Sequence, residues 1–228
     1  MQYLIDYLAN FCYFCINFNT SITLNLCVLA SGRGSNLKSI IFSQIKGKIK
    51  SQIVLVISNN SNSNSLNIAR SYQIPAIHLS QKQFTSESEY ADSFLNILEK
   101  HHIDMIVLAG YMKLIPLEII RRYKNKIINI HPALIPAFCG QGFYGLKVHE
   151  AVIESGVKIT GVTIHFVDEV YDHGPIIAQK SVKVSDSDTP ETLQKKVLKV
   201  EHKLLPETIR FIESHNIKIE GKRVVVEK

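Results

Sequence analysis

The chain has 228 residues, 46% of them hydrophobic, and 26 Lys and Arg against 20 Asp and Glu give a formal charge of +6. That length and composition support one sizeable core and exclude a collagen-like or disordered chain. The basic residues are scattered, with short clusters such as Lys46-Gly47-Lys48 and Arg121-Arg122; they favour anionic small molecules as readily as nucleic acid, and no basic stretch interleaved with aromatics marks an RNA or DNA surface.

Residues 1–21 are apolar and aromatic, yet they carry Asp6, lack a positive start and are too short for a convincing membrane span. They read as an extension outside the domain, which is expected to occupy 22–228. Of the four cysteines, Cys12, Cys15, Cys27 and Cys139, only the first two have zinc-type spacing. A zinc site needs a second ligand pair, so a reduced cytoplasmic chain is expected.

The domain opens with an apolar strand at 22–30, followed at once by the glycine loop Ser31-Gly32-Arg33-Gly34-Ser35-Asn36 and a helix over 37–45. A strand, glycine loop and helix in that order aim backbone N–H groups and a helix amino terminus at an anion, a phosphate for instance, although a tight turn alone also needs glycine. Leu37 stands where the dinucleotide fingerprint wants glycine, and no Gly-Lys-Ser/Thr follows, so a nucleotide cofactor is not implied. Strands at 53–57, 74–79 and 103–109 then alternate with helices at 66–72, 87–101 and 117–123. That alternation predicts a parallel sheet covered by helices on both faces.

The apolar run 127–130 ends in Asn129-Ile130-His131-Pro132. In a strand, residues two apart share a face, so Asn129 and His131 point the same way at its carboxyl end, where open α/β sheets bind ligands, and Pro132 ends the ladder for want of an N–H; taken alone, the run reads as a strand end whose Asn and His satisfy loop backbone. Beyond a Pro- and Gly-rich loop at 133–145 come a helix at 146–155, an alternating strand at 159–167, an acidic loop at 168–175 and a strand at 176–184. Thr189-Pro190-Glu191 starts a long amphipathic helix to about Ser214, which Pro206 is expected to kink, and a hairpin closes the chain at 217–226.

The ordered set of Ser31 to Asn36, Ala109-Gly110-Tyr111-Met112, Asn129-Ile130-His131-Pro132-Ala133-Leu134-Ile135-Pro136, Thr163-Ile164-His165-Phe166-Val167 and Asp172-His173-Gly174-Pro175 resembles the phosphoribosylglycinamide formyltransferases of purine biosynthesis. The resemblance runs from about Ile22 to the last helix. It implies an open, mostly parallel Rossmann-like sheet with helices on both faces and antiparallel carboxyl-terminal strands. The implied reaction moves a formyl group from 10-formyltetrahydrofolate, as co-substrate, to the amine of 5-phosphoribosylglycinamide, without metal. By position, the resemblance makes Asn129, His131 and Asp172 catalytic. Gly34, Ser35, Asn36 and Glu201 fall on the acceptor site. Met112, Lys113, Leu114, Ile115 and Asn129, with Asp168, Glu169, Val170, Tyr171 and Asp172, fall on the folate site. One departure is an Arg that many members place near Glu87-Ser88.

Those residue types suit the chemistry. Amine attack on a formyl carbon creates an oxyanion, for which the Asn129 amide and a protonated His131 are donors, while Asp172 is placed to hold a water or raise the imidazole pKa. His165 is either a partner of Asp172 or a satisfied core histidine, with the core reading favoured. His149, His173 and His202 are assigned no chemistry, and Cys139 is read as a small apolar loop residue rather than a nucleophile. Expected partners are small molecules, without nucleic acid or membrane, for a monomer or homodimer. A formyltetrahydrofolate hydrolase shares the three catalytic types but is expected to carry an amino-terminal regulatory domain. A methionyl-tRNA formyltransferase is expected to carry a further carboxyl-terminal domain. A folate-binding module without catalysis is the alternative from another class.

Overall fold

The computed structural model describes residues 22–227; the segment 1–21, with Cys12 and Cys15, lies outside the described residues. Among these, strands and helices alternate: β1 (Asn25–Leu29), α1 (Ser35–Ile45), β2 (Gln52–Ser58), α2 (Asn64–Ser71), β3 (Ala76–His78), α3 (Glu87–Lys100), β4 (Met105–Leu108), α4 (Leu117–Arg122) and β5 (Ile127–His131). Then follow α5 (Leu146–Glu154), β6 (Ile159–Phe166), β7 (Ile176–Lys183), α6 (Pro190–Ser214), β8 (Ile217–Glu220) and β9 (Arg223–Val226). A single sheet orders the strands β3-β2-β1-β4-β5-β6-β7-β9-β8. The first five are parallel, whereas β6 runs antiparallel to both β5 and β7. The expected open, mostly parallel α/β sheet with antiparallel carboxyl-terminal strands is the fold found.

Alternation along the central strands divides the core into two layers. Leu26, Val28, Met105, Val107, Ile128 and Ile130 pack with the apolar faces of α1, α2, α5 and α6. Cys27, Leu29, Ile106, Leu108 and Ile127 pack with α3 and α4. Helices therefore cover both faces, because successive strand side chains point to opposite sides. Ser63, Ser86 and Thr189 cap the amino termini of α2, α3 and α6 with their side chains. The last helix continues through Pro206. Strand β3 is shorter than expected, and a 3-10 turn at Gln81–Gln83 went unread because three residues leave no periodic signal.

The chain winds away from β1 in opposite directions, toward β2 on one side and β4 on the other. Ligands of open α/β sheets bind at such a switch point, beyond the strand carboxyl ends. The loops after β1, β4 and β5 all leave from that edge.

Candidate active site

The loops after β1, β4, β5 and β6, with residues of α1, α4, α5 and α6, enclose a cavity of about 670 Å³ at the switch point. Every site residue expected from the sequence borders it: Gly34, Ser35 and Asn36, the run Met112 to Ile115, Asn129 and His131, the run Asp168 to Asp172, and Glu201. Glu87 and Ser88, at the start of α3, are not among its lining residues.

At one end lies the glycine loop. Gly34 occupies the N-cap of α1 with φ +73°, and no side chain caps the helix. The first-turn N–H groups are thus left to an outside acceptor, as anion binding at a helix amino terminus requires. A Cβ at Gly34 would come within 2.8 Å of Ile68 Cδ1 and 3.0 Å of Ser65 Cα, so glycine is needed for packing as well as for the left-handed backbone. Asn36 Nδ2 donates to Glu201 Oε2 at 2.6 Å, joining α1 to α6. Burial pushes the Glu201 carboxyl up, against the pull of the Asn36 bond and the nearby Arg33.

The opposite end is apolar at its rim. Met112 and Leu114, from the loop after β4, and Val170 and Tyr171, from the loop after β6, are exposed large hydrophobics lining the same opening. Facing apolar rims fit a flat, apolar-faced heterocycle.

Between the ends stand the polar groups. His165 sits directly opposite Asn129 in the β5–β6 register, so Asn129 Nδ2 reaches His165 Nε2 at 3.2 Å and donates to Asp172 Oδ1 at 3.3 Å. His165 Nδ1 donates to the Phe166 carbonyl at 2.8 Å, and its Nε2 is 3.6 Å from Asp172 Oδ1. The favoured core reading of His165 therefore omitted its contact with Asp172. His131, 3% exposed, donates from Nε2 to the Phe138 carbonyl at 2.8 Å, while Nδ1 lies 3.5 Å from Asp172 Oδ2. The Gly140 N–H donates to the same carboxylate oxygen at 2.9 Å. Asp172 reaches this position with φ +50°, on a loop that folds back because Gly174 has no Cβ; one built there would lie 1.9 Å from the Phe166 carbonyl oxygen.

Electrostatics follow from this arrangement. Burial lowers the His131 pKa, and the negative charge of Asp172 with the Phe138 bond offsets it only in part. Burial acts the other way on Asp172, but contacts from His165, the charge of His131 and the Gly140 N–H outweigh it and hold the carboxyl below its usual range. The resting pair is therefore a carboxylate beside a largely neutral imidazole at pH 7. Here the expectation of a protonated His131 meets a physical obstacle: Asp172 does raise the imidazole, but desolvation is the larger effect. Burial, with the charge of Asp172, also raises the Cys139 thiol, which keeps it protonated and in line with the loop reading.

Residues that sequence reasoning did not find include Phe138 and Gly140, which act through backbone atoms and leave no side-chain signature. Ser31 is another; its hydroxyl accepts from the Met112 N–H at 2.8 Å and ties the glycine loop to the loop after β4. Among the described residues, no group of three His, Cys, Asp or Glu is arranged to hold a metal, and no helix is long and apolar enough to cross a membrane.

Residues 24–209 match the family model described as formyl transferase. Over 194 residues the chain is 43% identical to the chloroplastic phosphoribosylglycinamide formyltransferase of Arabidopsis thaliana, covering 85% of this chain and 66%, just under two thirds, of that protein. It is 35% identical over 183 residues to the phosphoribosylglycinamide formyltransferase of Bacillus subtilis, covering 80% of this chain and 91% of that one. The crystal structure of glycinamide ribonucleotide transformylase 1 from Symbiobacterium toebii superposes with a TM-score of 0.84 at 35% identity, covering 90% of this chain and 95% of that one. A sheet with this switch point, an uncapped glycine loop facing an Asn, His and Asp cluster, and relatives of this similarity together mean that the chain belongs to the formyl transferase family, among its phosphoribosylglycinamide formyltransferases.

Proposed function

We propose that this chain transfers the formyl group of 10-formyltetrahydrofolate to the amine of 5-phosphoribosylglycinamide, with residues 22–228 as the catalytic domain and residues 1–21 outside it. The observation that carries the reading is that Asn129, His131 and Asp172 meet midway along a cavity with an anion-ready helix terminus at one end and an apolar rim at the other. Two substrates laid end to end bring their reacting atoms together at those side chains. Gly34, Ser35 and Asn36 receive the phosphate end of the acceptor, with Glu201 beside them. Residues 112–115 and 168–172 flank the folate.

In the reaction the amine lone pair attacks the formyl carbon, and the carbonyl oxygen becomes an oxyanion. The bond from that carbon to the folate nitrogen then breaks; the folate nitrogen gains a proton, and the former amine loses one. An oxyanion is a stronger acceptor than the Phe138 carbonyl, so it draws the His131 Nε2–H to itself, and its negative charge lets the ring hold the proton that the former amine sheds until the folate nitrogen takes it. Asp172, 3.5 Å from Nδ1, then stabilises the imidazolium. One Asn129 Nδ2 hydrogen turns from Asp172 or His165 onto the same oxygen. Donors so placed typically contribute about 2.7–4 kcal/mol each to lowering such a barrier.

The test is tetrahydrofolate release from 10-formyltetrahydrofolate by the purified chain, followed by absorbance with and without phosphoribosylglycinamide. Release that depends on the acceptor supports the reading. Release at the same rate without it points to hydrolysis, and binding without release points to a folate-binding module. The cytoplasm is the proposed compartment; because the Arabidopsis relative is named chloroplastic, cell fractionation decides it.

A further inference from the structure

His149 on α5 plays no part in the chemistry above, yet its surroundings are unusual. The residue is 2% exposed and borders the cavity. Its Nδ1 is sealed from solvent, and neither ring nitrogen has a hydrogen-bond partner among the described residues. Burial, with the charge of His131 close by, pushes its imidazole down to about 4, so the ring is neutral at physiological pH. Its helix neighbours Val148 and Val152 are fully buried. An aliphatic side chain would therefore suit position 149, whereas an unpartnered buried polar group destabilises the folded state. Nδ1 stays unpaired inside the protein, whereas Nε2 is the ring nitrogen left for a ligand in the cavity that His149 lines.

Its place in the cavity indicates which ligand. Helix α5 packs against α6, which brings Glu201 and Gln194 to the cavity wall, and so His149 stands on the α6 side of the cavity, close to His131. There Asn36 Oδ1 is also buried without a partner. Glu201, on the cavity lining, offers an acceptor to donors of a substrate. With Nδ1 sealed in the protein, the neutral ring keeps its proton on Nε2, since a buried N–H without an acceptor is the rarer and costlier orphan.

Building on the proposed reaction, we infer that His149 is a substrate-binding residue that donates from its imidazole to the amide carbonyl of the glycinamide arm, and so sets the direction in which the amine approaches the formyl carbon. It does this without adding positive charge beside His131.

The experiment compares the wild-type chain with H149L and H149Q. Calorimetric affinity for phosphoribosylglycinamide, affinity for a non-transferable folate and kcat/KM for each substrate are measured alongside the thermal midpoint. Loss of one such bond lowers acceptor affinity and acceptor kcat/KM about tenfold in H149L. Folate affinity stays unchanged, and the midpoint rises because the orphaned polar group is gone. H149Q, which retains an N–H, recovers part of the loss. A merely structural histidine gives the opposite pattern, with unchanged acceptor affinity in H149L or an equal loss for folate, and either result overturns the inference. Should H149L fail to fold, H149Q against the wild type carries the same comparison of acceptor with folate. A wild-type chain that neither binds nor formylates phosphoribosylglycinamide refutes the proposed reaction; one that binds it as tightly as H149L does refutes only the role of His149.

Discussion

At the scale of single residues, the site is a contest between burial and charge around His131. The imidazole is bracketed by the Phe138 carbonyl and the Asp172 carboxylate, a setting that rewards a second proton, while burial opposes it. Replacing Asp172 by Asn removes the opposing charge and leaves desolvation in place. The His131 pKa should then fall further below its already lowered value, which NMR titration of the ring measures; an unchanged or raised value contradicts the electrostatic account. His131→Ala should lower kcat about 100-fold or more while acceptor KM changes little, because the donor acts on charge present only in the transition state. A steady-state series with the acceptor varied checks both parameters. That Asn129 and His131 share a face at a strand's carboxyl end was legible from strand alternation and Pro132, since residues two apart must do so, but their catalytic reading rested on the family resemblance. Asp172 and Glu201 needed the family resemblance, because no local pattern shows which loop acid or helix acid reaches a pocket more than 40 positions away.

Elements set where those residues stand. The β5–β6 register pairs Asn129 with His165, and the uncapped start of α1 faces the cavity because Gly34 accepts a left-handed backbone. Gly34→Ala should destabilise the fold by about 1–2 kcal/mol through that backbone alone, with the clash at Ile68 adding to it. It should also raise acceptor KM more than folate KM. Urea denaturation and paired KM measurements check the two halves separately.

Helix α5 gives the fold a pH dependence of its own. The folded-state pKa of His149 lies near 4 against an ordinary 6.5. As pH falls, the unfolded chain takes up the proton first. The stability tied to neutral His149 is thus fully present above pH 6.5 and is lost as pH falls toward about 4, up to about 3 kcal/mol for a shift of this size. His131 and His202, also lowered chiefly by burial, act in the same direction. Thermal midpoints measured from pH 7 to 4 should fall more steeply for the wild-type chain than for H149L; parallel curves contradict the assignment. The alternating apolar strands and capped helices were readable because burial imposes periods of 2 and 3.6. Nothing in the helical pattern separated His149 from its buried neighbours, since a helix face shows that a residue is inside and not whether its polar atoms find partners.

For the molecule as a whole, order of strands matters more than any one contact. Reversal of the winding order between β1 and β4 opens the crevice, the antiparallel strand β6 lets an acidic loop fold back over it, and α6 walls the end beside the glycine loop. The alternation of strands and helices predicted the helix-covered parallel sheet and the resemblance its antiparallel carboxyl-terminal strands, whereas the closeness of the loop at 138–140 to both His131 and Asp172 depends on tertiary packing that no local signal encodes. The most direct measurement supplies 10-formyltetrahydrofolate labelled with ¹³C at the formyl carbon and follows the label by NMR in the presence and absence of phosphoribosylglycinamide. Direct transfer through Asn129, His131 and Asp172 predicts that the label appears on the acceptor's amine nitrogen as a formamide, and that no formate forms without acceptor. Labelled formate released at the same rate in both samples, with none on the acceptor, would contradict it.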